Sequence, residues 1–157
     1  MTWRPLLDGA LADQASAAVL DIARAIASGE GNPAKVTDRT LFWAYMAGAF
    51  DDGWIADAYD RAVAELVEDT PRWFAELGLY SGAACVGFTI AHVSEPGAAD
   101  ASLAAIDEVI ADALAVEAWT RDYDLISGLA GIGIYLLERG DVAAVAIDRV
   151  VDHLIAT

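Results

Sequence analysis

Two stretches decide the fold: Leu-Tyr-Ser-Gly-Ala-Ala-Cys-Val-Gly-Phe at residues 79–88 and Leu-Ile-Ser-Gly-Leu-Ala-Gly-Ile-Gly-Ile at residues 125–134. They share the Leu, the Ser, one Ala and two Gly at a fixed offset of 46 residues, which indicates a structural repeat. Each Gly inside a helix costs roughly 1 kcal/mol relative to Ala, so the shared glycines predict a close approach of neighbouring helices. Residues 40–50 fit the motif less well, although Gly48 takes the place of Gly87.

Along the chain, uncharged segments alternate with segments whose apolar residues lie on one face of a helix, which we call one-faced segments. Residues 40–50, 79–93 and 125–137 contain no Asp, Glu, Lys or Arg, which predicts helices that are buried on most sides. Around them, apolar residues recur at spacings of three and four, the pattern of helices with one buried face. The apolar positions of these one-faced helices are Leu7, Leu11, Ala15, Ala18, Ile22 and Ile26; Ile55, Tyr59, Val63 and Leu66; Leu103, Ile106, Ile110 and Ala113; and Ile147, Val150 and Leu154.

Glycine, proline and aspartate mark the ends of these helices. The first helix is predicted to end at residues 29–31, and Pro71 is predicted to interrupt the third. Gly140 suits the residue that closes a helix, and Asp141 is predicted to cap the last one. No alternating β-branched run with a two-residue turn signal is present. The sequence therefore predicts an all-α protein.

The alternation predicts two layers. Three times along the chain, a helix buried on most sides is paired with a helix buried on one side. An inner ring and an outer ring of helices produce this pattern. A chain of 157 residues is long enough for one core. We therefore predict a single domain over residues 1–157, a partial α/α toroid that makes about half of a six-by-six helical barrel, with inner and outer helices alternating.

The charge balance limits the partners. Nine Lys and Arg against 25 Asp and Glu give a net charge of −16, which repels nucleic acid and anionic lipid. We therefore expect no nucleic acid and no membrane among the partners. The acidic residues either form a solvated surface or attract a basic peptide, and the composition leaves both interpretations open.

A cytoplasmic location follows from the cysteine content and the N-terminus. Cys85 is the single cysteine, which excludes an internal disulfide, and residues 1–5 lack the basic start and apolar run of a secretion signal. The uncharged stretch at residues 77–94 approaches the length of a membrane span. Its Ser, Gly, Thr and His residues favour a buried helix instead.

Two of the uncharged segments carry a family resemblance. The motif at residues 79–88 and Tyr-Asp-Leu-Ile-Ser-Gly-Leu-Ala-Gly-Ile-Gly-Ile-Tyr-Leu-Leu-Glu-Arg at residues 123–139 resemble successive inner-helix motifs of lanthionine synthetase C-like proteins, the lanthipeptide cyclases. The second motif is the more specific, and the likeness runs over residues 34–139. Its order and spacing match the first half of the family's barrel, so the resemblance implies an N-terminal half-domain.

The resemblance also implies a chemistry. In the complete bacterial cyclases, zinc activates the Cys thiols of a peptide, because the thiolate and not the thiol is the nucleophile. The thiolates add to dehydroalanine or dehydrobutyrine and form thioether rings. The family's zinc ligands, two Cys and one His, belong to the second half of the barrel, which we expect this chain not to reach. We therefore expect zinc in the complete family but no cofactor within this chain.

Residues of ligand type in this chain do not replace those ligands. Zinc takes about four ligand atoms within roughly 2.0 to 2.3 Å. Cys85 and His92 lie two turns apart on one predicted helix, and His153 lies on another. We interpret Cys85 as a small core residue, His92 as a helix-end residue and His153 as part of a solvated face.

Asp124 is the catalytic residue that the resemblance implies. It matches the acid at the head of the corresponding inner helix, which lies in the active site of the complete cyclases. The same position is also a preferred helix N-cap, where a carboxylate suits the helix dipole. The two roles are compatible, because a capping carboxylate at the mouth of a toroid also faces a bound peptide.

Other chemistries lack their motifs. Asp51 and Asp52 begin an acidic run of the terpene-cyclase type, but Ile55 stands at the third acidic position. No spacing singles out a pair of acids of the glycosidase type. The sequence has no glycine-rich loop followed by Lys for phosphate, and no Ser, His and Asp arrangement for a nucleophile.

Two hypotheses of function remain. In the first, the chain is one half of a lanthipeptide cyclase whose zinc half is another chain or is lost to a truncated gene. In the second, it is a binding or scaffold module, a degenerate half-toroid that holds a precursor peptide or a partner without chemistry. The second is favoured for the isolated chain, because a half-ring without the metal has no means of generating the thiolate. A half-ring also exposes apolar edges larger than a soluble monomer tolerates. We therefore expect a complementary half-toroid chain or a second copy in a homodimer as partner.

Overall fold

The computed structural model describes residues 6–29, 35–69, 75–95 and 97–156. Within these ranges all regular structure is helical and no strand is formed, which confirms the all-α prediction. The chain divides into two compact units, Met1–Lys35 and Val36–Thr157, and the single domain over residues 1–157 stays a prediction. The helices are α1 (Gly9–Ala27), α2 (Val36–Ala49), α3 (Gly53–Asp69), α4 (Ala83–Val93), α5 (Asp100–Leu114), α6 (Leu129–Arg139) and α7 (Ala144–Ile155), with a 3₁₀ turn at Gly140–Ala143.

The first unit contains α1, which ends at Ala27, two residues before the predicted end at residues 29–31. The amide of Ser28 donates to the Arg24 carbonyl at 3.0 Å, and the amide of Gly29 donates to the Ile26 carbonyl at 3.1 Å. Gly29 has a φ of +78°, a conformation that glycine adopts without strain. The glycine therefore turns the chain out of the helix.

The second unit contains two layers of helices. α2, α4 and α6 contact one another in that order and form the inner layer. α3 packs against α2, α5 against α4 and α7 against α6, so these outer helices alternate with the inner ones along the chain. The alternation of uncharged and one-faced segments therefore predicted the two layers correctly.

Each outer helix buries one face. Leu103, Ile106 and Ile110 of α5 are all at most 1% exposed, as the spacing predicts. α3 ends at Asp69, and Pro71, which was predicted to interrupt it, lies outside the described residues. The core also holds Ile55, Ala58, Ala62 and Leu66 of α3, Val150 of α7, and most of α4.

The boundaries of the inner helices differ from the uncharged segments. α4 begins at Ala83 and α6 at Leu129, so the Leu-x-Ser-Gly part of each motif forms a turn that precedes the helix. α2 begins at Val36, earlier than the uncharged residues 40–50 indicate. The difference arises because absence of charge reports burial, whereas helix ends are set by backbone hydrogen bonds.

The link between α6 and α7 differs from the prediction at one residue. Gly140 has a φ of +63° and its amide reaches the Leu136 carbonyl, so it closes α6 as predicted. Asp141 does not cap α7, because it lies inside the 3₁₀ turn and the N-cap is Ala143. The prediction for Asp141 was therefore wrong.

Gly87 is the shared glycine that brings two inner helices together. A Cβ atom at this position would lie 2.5 Å from Cε2 of Tyr135 in α6 and 3.0 Å from Cγ2 of Ile106. Gly48 of α2 has no atom within 4 Å of such a Cβ. The predicted close approach of two helices is therefore confirmed for Gly87. Gly48 aligns with Gly87 in the sequence, but no neighbouring helix approaches it closely.

A partly buried polar network holds Tyr135 in place. Its ring is fully buried and its hydroxyl donates a hydrogen bond to Asp107 of α5. Arg139 donates to the same carboxylate at 2.8 Å and to Asp100 at 2.8 Å. Burial, followed by the hydrogen bond to Asp107, raises the pKa of Tyr135 far above its ordinary value of 10.0. The network therefore fixes α6 against α5.

The uncharged stretch at residues 77–94 contains α4, which has 11 residues and is mostly buried. The prediction of a buried helix is therefore confirmed. In the part of the chain that the structure describes, no helix combines the length and the apolar character that crossing a membrane requires.

Candidate functional site

The turns that lead into α4 and α6 have the same backbone geometry. In both, three carbonyl groups of the turn accept hydrogen bonds from the first amides of the helix, and the equivalent groups are 46 residues apart, so the sequence repeat is a structural repeat. The pairs are Ala83 to Glu76 (2.9 Å), Ala84 to Leu77 (3.2 Å) and Cys85 to Gly78 (3.3 Å) in the first turn, and Leu129 to Asp122 (3.0 Å), Ala130 to Tyr123 (3.3 Å) and Gly131 to Asp124 (3.4 Å) in the second.

These turns explain the Ser-Gly pair of the motif. A Cβ atom on Gly82 would lie 2.6 Å from the Gly78 nitrogen, and one on Gly128 would lie 2.5 Å from the Asp124 nitrogen. These neighbours are backbone atoms that cannot retreat without breaking the hydrogen bonds of the turn. The sequence predicted a helix–helix contact at every shared glycine, but at these two the close neighbour is a loop.

The two turns also pack against each other. The Tyr80 amide of the first turn donates to the Ile126 carbonyl of the second at 3.0 Å. A Cβ atom on Gly78 would lie 2.7 Å from the same carbonyl oxygen and 2.8 Å from Cα of Ser127. Gly78 is therefore the residue that lets the second turn approach the first.

Asp124 occupies in the second turn the position that Gly78 occupies in the first. The Asp124 carboxylate accepts a hydrogen bond from the Ile126 amide. In the first turn the equivalent amide, that of Tyr80, donates instead to a carbonyl of the neighbouring turn. The second turn is thus closed by its own carboxylate, which is exposed to solvent.

The hydrogen bonds of Asp124 belong to the turn and not to the helix. Oδ1 accepts from the amides of Ile126 (2.6 Å) and Ser127 (3.0 Å), and Oδ2 accepts from the Ser127 hydroxyl (3.1 Å). The N-cap of α6 is Gly128, which makes no side-chain cap. The prediction that Asp124 is the N-cap was therefore wrong: only its main-chain carbonyl receives a helix amide, that of Gly131.

These contacts favour the ionised form of Asp124. The Ser127 amide, followed by the Ile126 amide, holds the pKa of Asp124 below its ordinary value of 3.8. A carboxylate offers about four lone-pair sites, of which three are used, so one site on Oδ2 remains for an incoming donor. A carboxylate whose pKa lies below 3.8 accepts protons poorly near neutral pH. The geometry favours binding and orientation, and the catalytic role of Asp124 stays a prediction.

An apolar groove of about 290 Å³ lies beside these turns. Three side chains at its mouth, Tyr80, Leu125 and Ile126, are 61%, 55% and 61% exposed. The apolar side chains that line it come from α2, α4 and both turns, and we call it the loop-end groove: Leu41, Leu79, Cys85, Phe88, Leu125 and Ile126.

Two further groove residues were missed by sequence reasoning. Thr37 and Asp38 of α2 also line the loop-end groove. The uncharged segment that predicted this helix began at Thr40, and Asp38 served only as its boundary. No local pattern marks either residue, because their importance comes from α4 and the turns packing beside them.

His92 lies at the far end of α4 and joins three inner helices. Its Nε2 is 2.7 Å from the Tyr45 hydroxyl of α2, and its Nδ1 is 2.8 Å from Oε1 of Glu138 in α6. Its ring stacks on Phe88 with centroids 5.2 Å apart. These contacts confirm the helix-end position and occupy both ring nitrogens.

The ligand-type residues that the structure describes do not fit the zinc of the complete cyclases. Cys85 is buried and lies about 10 Å along α4 from His92. His153 is also buried, 3.1 Å from the Leu114 carbonyl, so its assignment to a solvated face was wrong. Nowhere in the described ranges do three His, Cys, Asp or Glu side chains converge to hold a metal ion. The expectation of no cofactor within this chain stays a prediction.

Comparison with known proteins identifies the family. The family model described as lanthionine synthetase C-like protein matches residues 40–156. Comparisons with curated proteins and with solved structures gave no match. The matched residues span most of the chain and include both turns, α4 and α6. The chain therefore belongs to the lanthionine synthetase C-like family, whose fold is a helical toroid.

Proposed function

We propose that this chain is the peptide-holding part of a cytoplasmic, thioether-forming peptide cyclase and that it does not close thioether rings by itself. The peptide binds at Asp124 and along the loop-end groove. The observation that carries the proposal is the exposed Asp124 carboxylate, which three hydrogen bonds hold ionised and oriented beside an apolar groove. This combination provides one charged anchor and one apolar anchor for an extended chain.

The charge of the surface favours a basic peptide. The remaining acceptor site on Oδ2 of Asp124 suits a peptide N–H, a Lys ammonium or an Arg guanidinium. A net charge of −16 attracts basic ligands at long range and raises their rate of association.

Ring closure requires a thiolate, which the described residues of this chain do not generate. A Cys thiol with a pKa near 8.5 is mostly protonated at neutral pH and needs a metal or a base. The ligand-type residues Cys85, His92 and His153 lie apart, and Asp124 is too weak a base. We therefore assign holding and orientation of the peptide to this chain and thiol activation to another set of residues.

A second candidate function is one half of a split cyclase, in which a complementary chain carries the zinc ligands. Exposed apolar side chains of α6 and of the segment that follows it favour a partner. Leu137, Val142, Val145 and Ile155 are 63%, 68%, 71% and 77% exposed. Exposed apolar side chains that form a patch are typical of an interaction surface, and we assign these four to the surface that a partner chain would cover.

Peptide binding is tested with a fluorescent basic peptide that contains one Cys and one dehydroalanine. We expect fluorescence anisotropy to show binding that weakens as salt is raised, and no binding of an acidic peptide of the same length. Asp124→Asn should weaken binding several-fold, because the amide oxygen still closes the turn but carries no charge. Asp122→Asn is the matched control and should change the affinity less than twofold. Equal binding of the acidic peptide would contradict the proposal.

The assignment of chemistry is tested in the same samples. Free thiol is titrated before and after incubation with the chain and equimolar zinc. We expect no loss of thiol beyond that of peptide with zinc alone. Consumption of the thiol by this chain would show that it is a cyclase by itself. Recovery of a zinc-containing complex with a second chain from the native source would establish the split cyclase.

A further inference from the structure

The walls of the loop-end groove point to a single side chain as its occupant. The groove has a volume of about 290 Å³, at the lower limit of the range for ligand pockets. Leu41 and Phe88 form apolar walls between α2 and α4, and the exposed Leu125 and Ile126 stand at its mouth. This space suits one large apolar side chain better than a folded segment of a partner.

A buried hydroxyl in the wall has no partner. Thr37 is 1% exposed, and its Oγ1 makes no hydrogen bond with any described residue. The other buried threonines of the described ranges both donate: Thr40 to the carbonyls of Val36 (2.9 Å) and Ala62 (3.2 Å), and Thr89 to Cys85 (2.9 Å). A buried polar group without a partner is costly and uncommon.

The side chain of Thr37 is therefore placed to recognise a ligand. A helical Thr occupies either of two χ1 rotamers, so its hydroxyl can turn toward the groove that it lines. A ligand group that donates to or accepts from this hydroxyl would satisfy it. The hydroxyl thus adds a specific polar contact to a pocket that is otherwise apolar.

The charge at the rim adds a second requirement. Among the described residues that line the groove, Asp38 is the only charged one, and it is exposed. The Asp124 turn adjoins the groove through Leu125 and Ile126. No Lys or Arg is among the lining residues that the structure describes. A ligand that places its apolar group in the groove therefore has its neighbouring atoms beside the Asp38 carboxylate.

We propose that the loop-end groove binds the side chain of a tyrosine that is flanked by Lys or Arg in a peptide. Tyrosine has the apolar body that the walls require and a hydroxyl at its tip for Thr37. The flanking cation lies against Asp38. The inference rests on the proposed function, because it assumes that a peptide binds at this end of the molecule.

The test compares two labelled peptides, Gly-Lys-Tyr-Lys-Gly and Gly-Lys-Phe-Lys-Gly, which differ in one hydroxyl. From the net strength of one hydrogen bond we expect the wild type to bind the tyrosine peptide about 3- to 10-fold more tightly. Thr37→Val should remove this preference, and Thr37→Ser, which keeps the hydroxyl, should retain it. Thr40→Val, checked by circular dichroism for an intact fold, is the control and should retain the preference.

Cys85 reports occupancy of the groove directly. It is the single cysteine of the chain and it lines the groove, so its rate of alkylation by iodoacetamide measures access. We expect the tyrosine peptide to slow alkylation of the wild type. Slower alkylation at higher protein concentration without peptide would show that a second copy covers the groove, and the inference would be overturned.

The outcomes separate this inference from the proposed function. Asp124→Asn should weaken both peptides and leave their ratio unchanged. If both peptides bind equally and Cys85 is not protected, peptide binding stands and the tyrosine pocket is refuted. If Thr37→Val prefers tyrosine as the wild type does, recognition by Thr37 is refuted. If neither peptide binds, both proposals fall.

Discussion

Replacing Gly87 by Ala should destabilise the protein, whereas the same change at Gly48 should not. The new Cβ would lie 2.5 and 2.7 Å from two ring carbons of Tyr135. Carbon atoms pack at about 3.5 to 4.0 Å, so the ring must move by about 1 Å. The ring is fully buried and its hydroxyl is bonded to Asp107. We therefore take the overpacking cost at the upper end of its range, about 3 kcal/mol.

The helix gains about 1 kcal/mol when Ala replaces Gly, so the net loss in the free energy of unfolding is about 2 kcal/mol. At Gly48, near the end of α2 and without neighbours, we expect a gain of about 0.5 kcal/mol. The two variants should differ by about 2.5 kcal/mol, or roughly 5 to 10 °C in melting temperature for a chain of this size.

Urea unfolding followed by circular dichroism measures both variants, and equal slopes would confirm that they unfold from the same compact state. A Tyr135→Leu background provides the internal control. The shorter side chain makes room for the new methyl group, so the cost of Gly87→Ala should shrink there. A Gly87→Ala protein that is as stable as Gly48→Ala would refute the close approach of α4 and α6.

Three further predictions concern titration and assembly. Because the pKa of Tyr135 is raised in the folded state, its contribution to stability is present below pH 10 and is lost as the pH rises above 10 toward the folded value; Tyr135→Phe should flatten this alkaline loss in urea unfolding. Because folding lowers the pKa of Asp124, its contribution to the free energy of unfolding is present above pH 3.8 and is lost as the pH falls through the folded value. Asp124→Asn should therefore flatten the loss of stability at acid pH in urea unfolding. An unchanged pH dependence of stability would refute the turn-closing role. Light scattering should give a mass above the 16.5 kDa of one chain, and a monomer would argue against a second copy at the exposed surface of α6 and α7.

The arrangement of helices was predictable from the sequence because it depends on local patterns. Apolar spacing identified the buried face of α5, and the uncharged segments identified the three inner helices. The 46-residue repeat identified α4 and α6 as equivalent units. The exact starts of these helices were not predictable, because the amides of Ala83 and Leu129 are satisfied by carbonyls of the preceding turns.

The candidate site was only partly predictable. The sequence singled out Asp124, but the structure shows its carboxylate closing a turn instead of capping α6. The burial of His153 and the groove position of Thr37 carried no local signal. Each depends on a neighbour that the fold brings close, as the Leu114 carbonyl does for His153.

The sequence by itself thus determined the helical class, the two layers and the family motif, because periodicity and composition act over a few turns of chain. Only the tertiary structure decided that Gly78 lets two turns touch and that the Asp124 carboxylate, at the equivalent position, closes the second turn by accepting two of its amides. The physical reason is that a collision or a hydrogen bond depends on atoms within about 3 to 4 Å of each other, and the fold brings those atoms together from positions far apart in the chain.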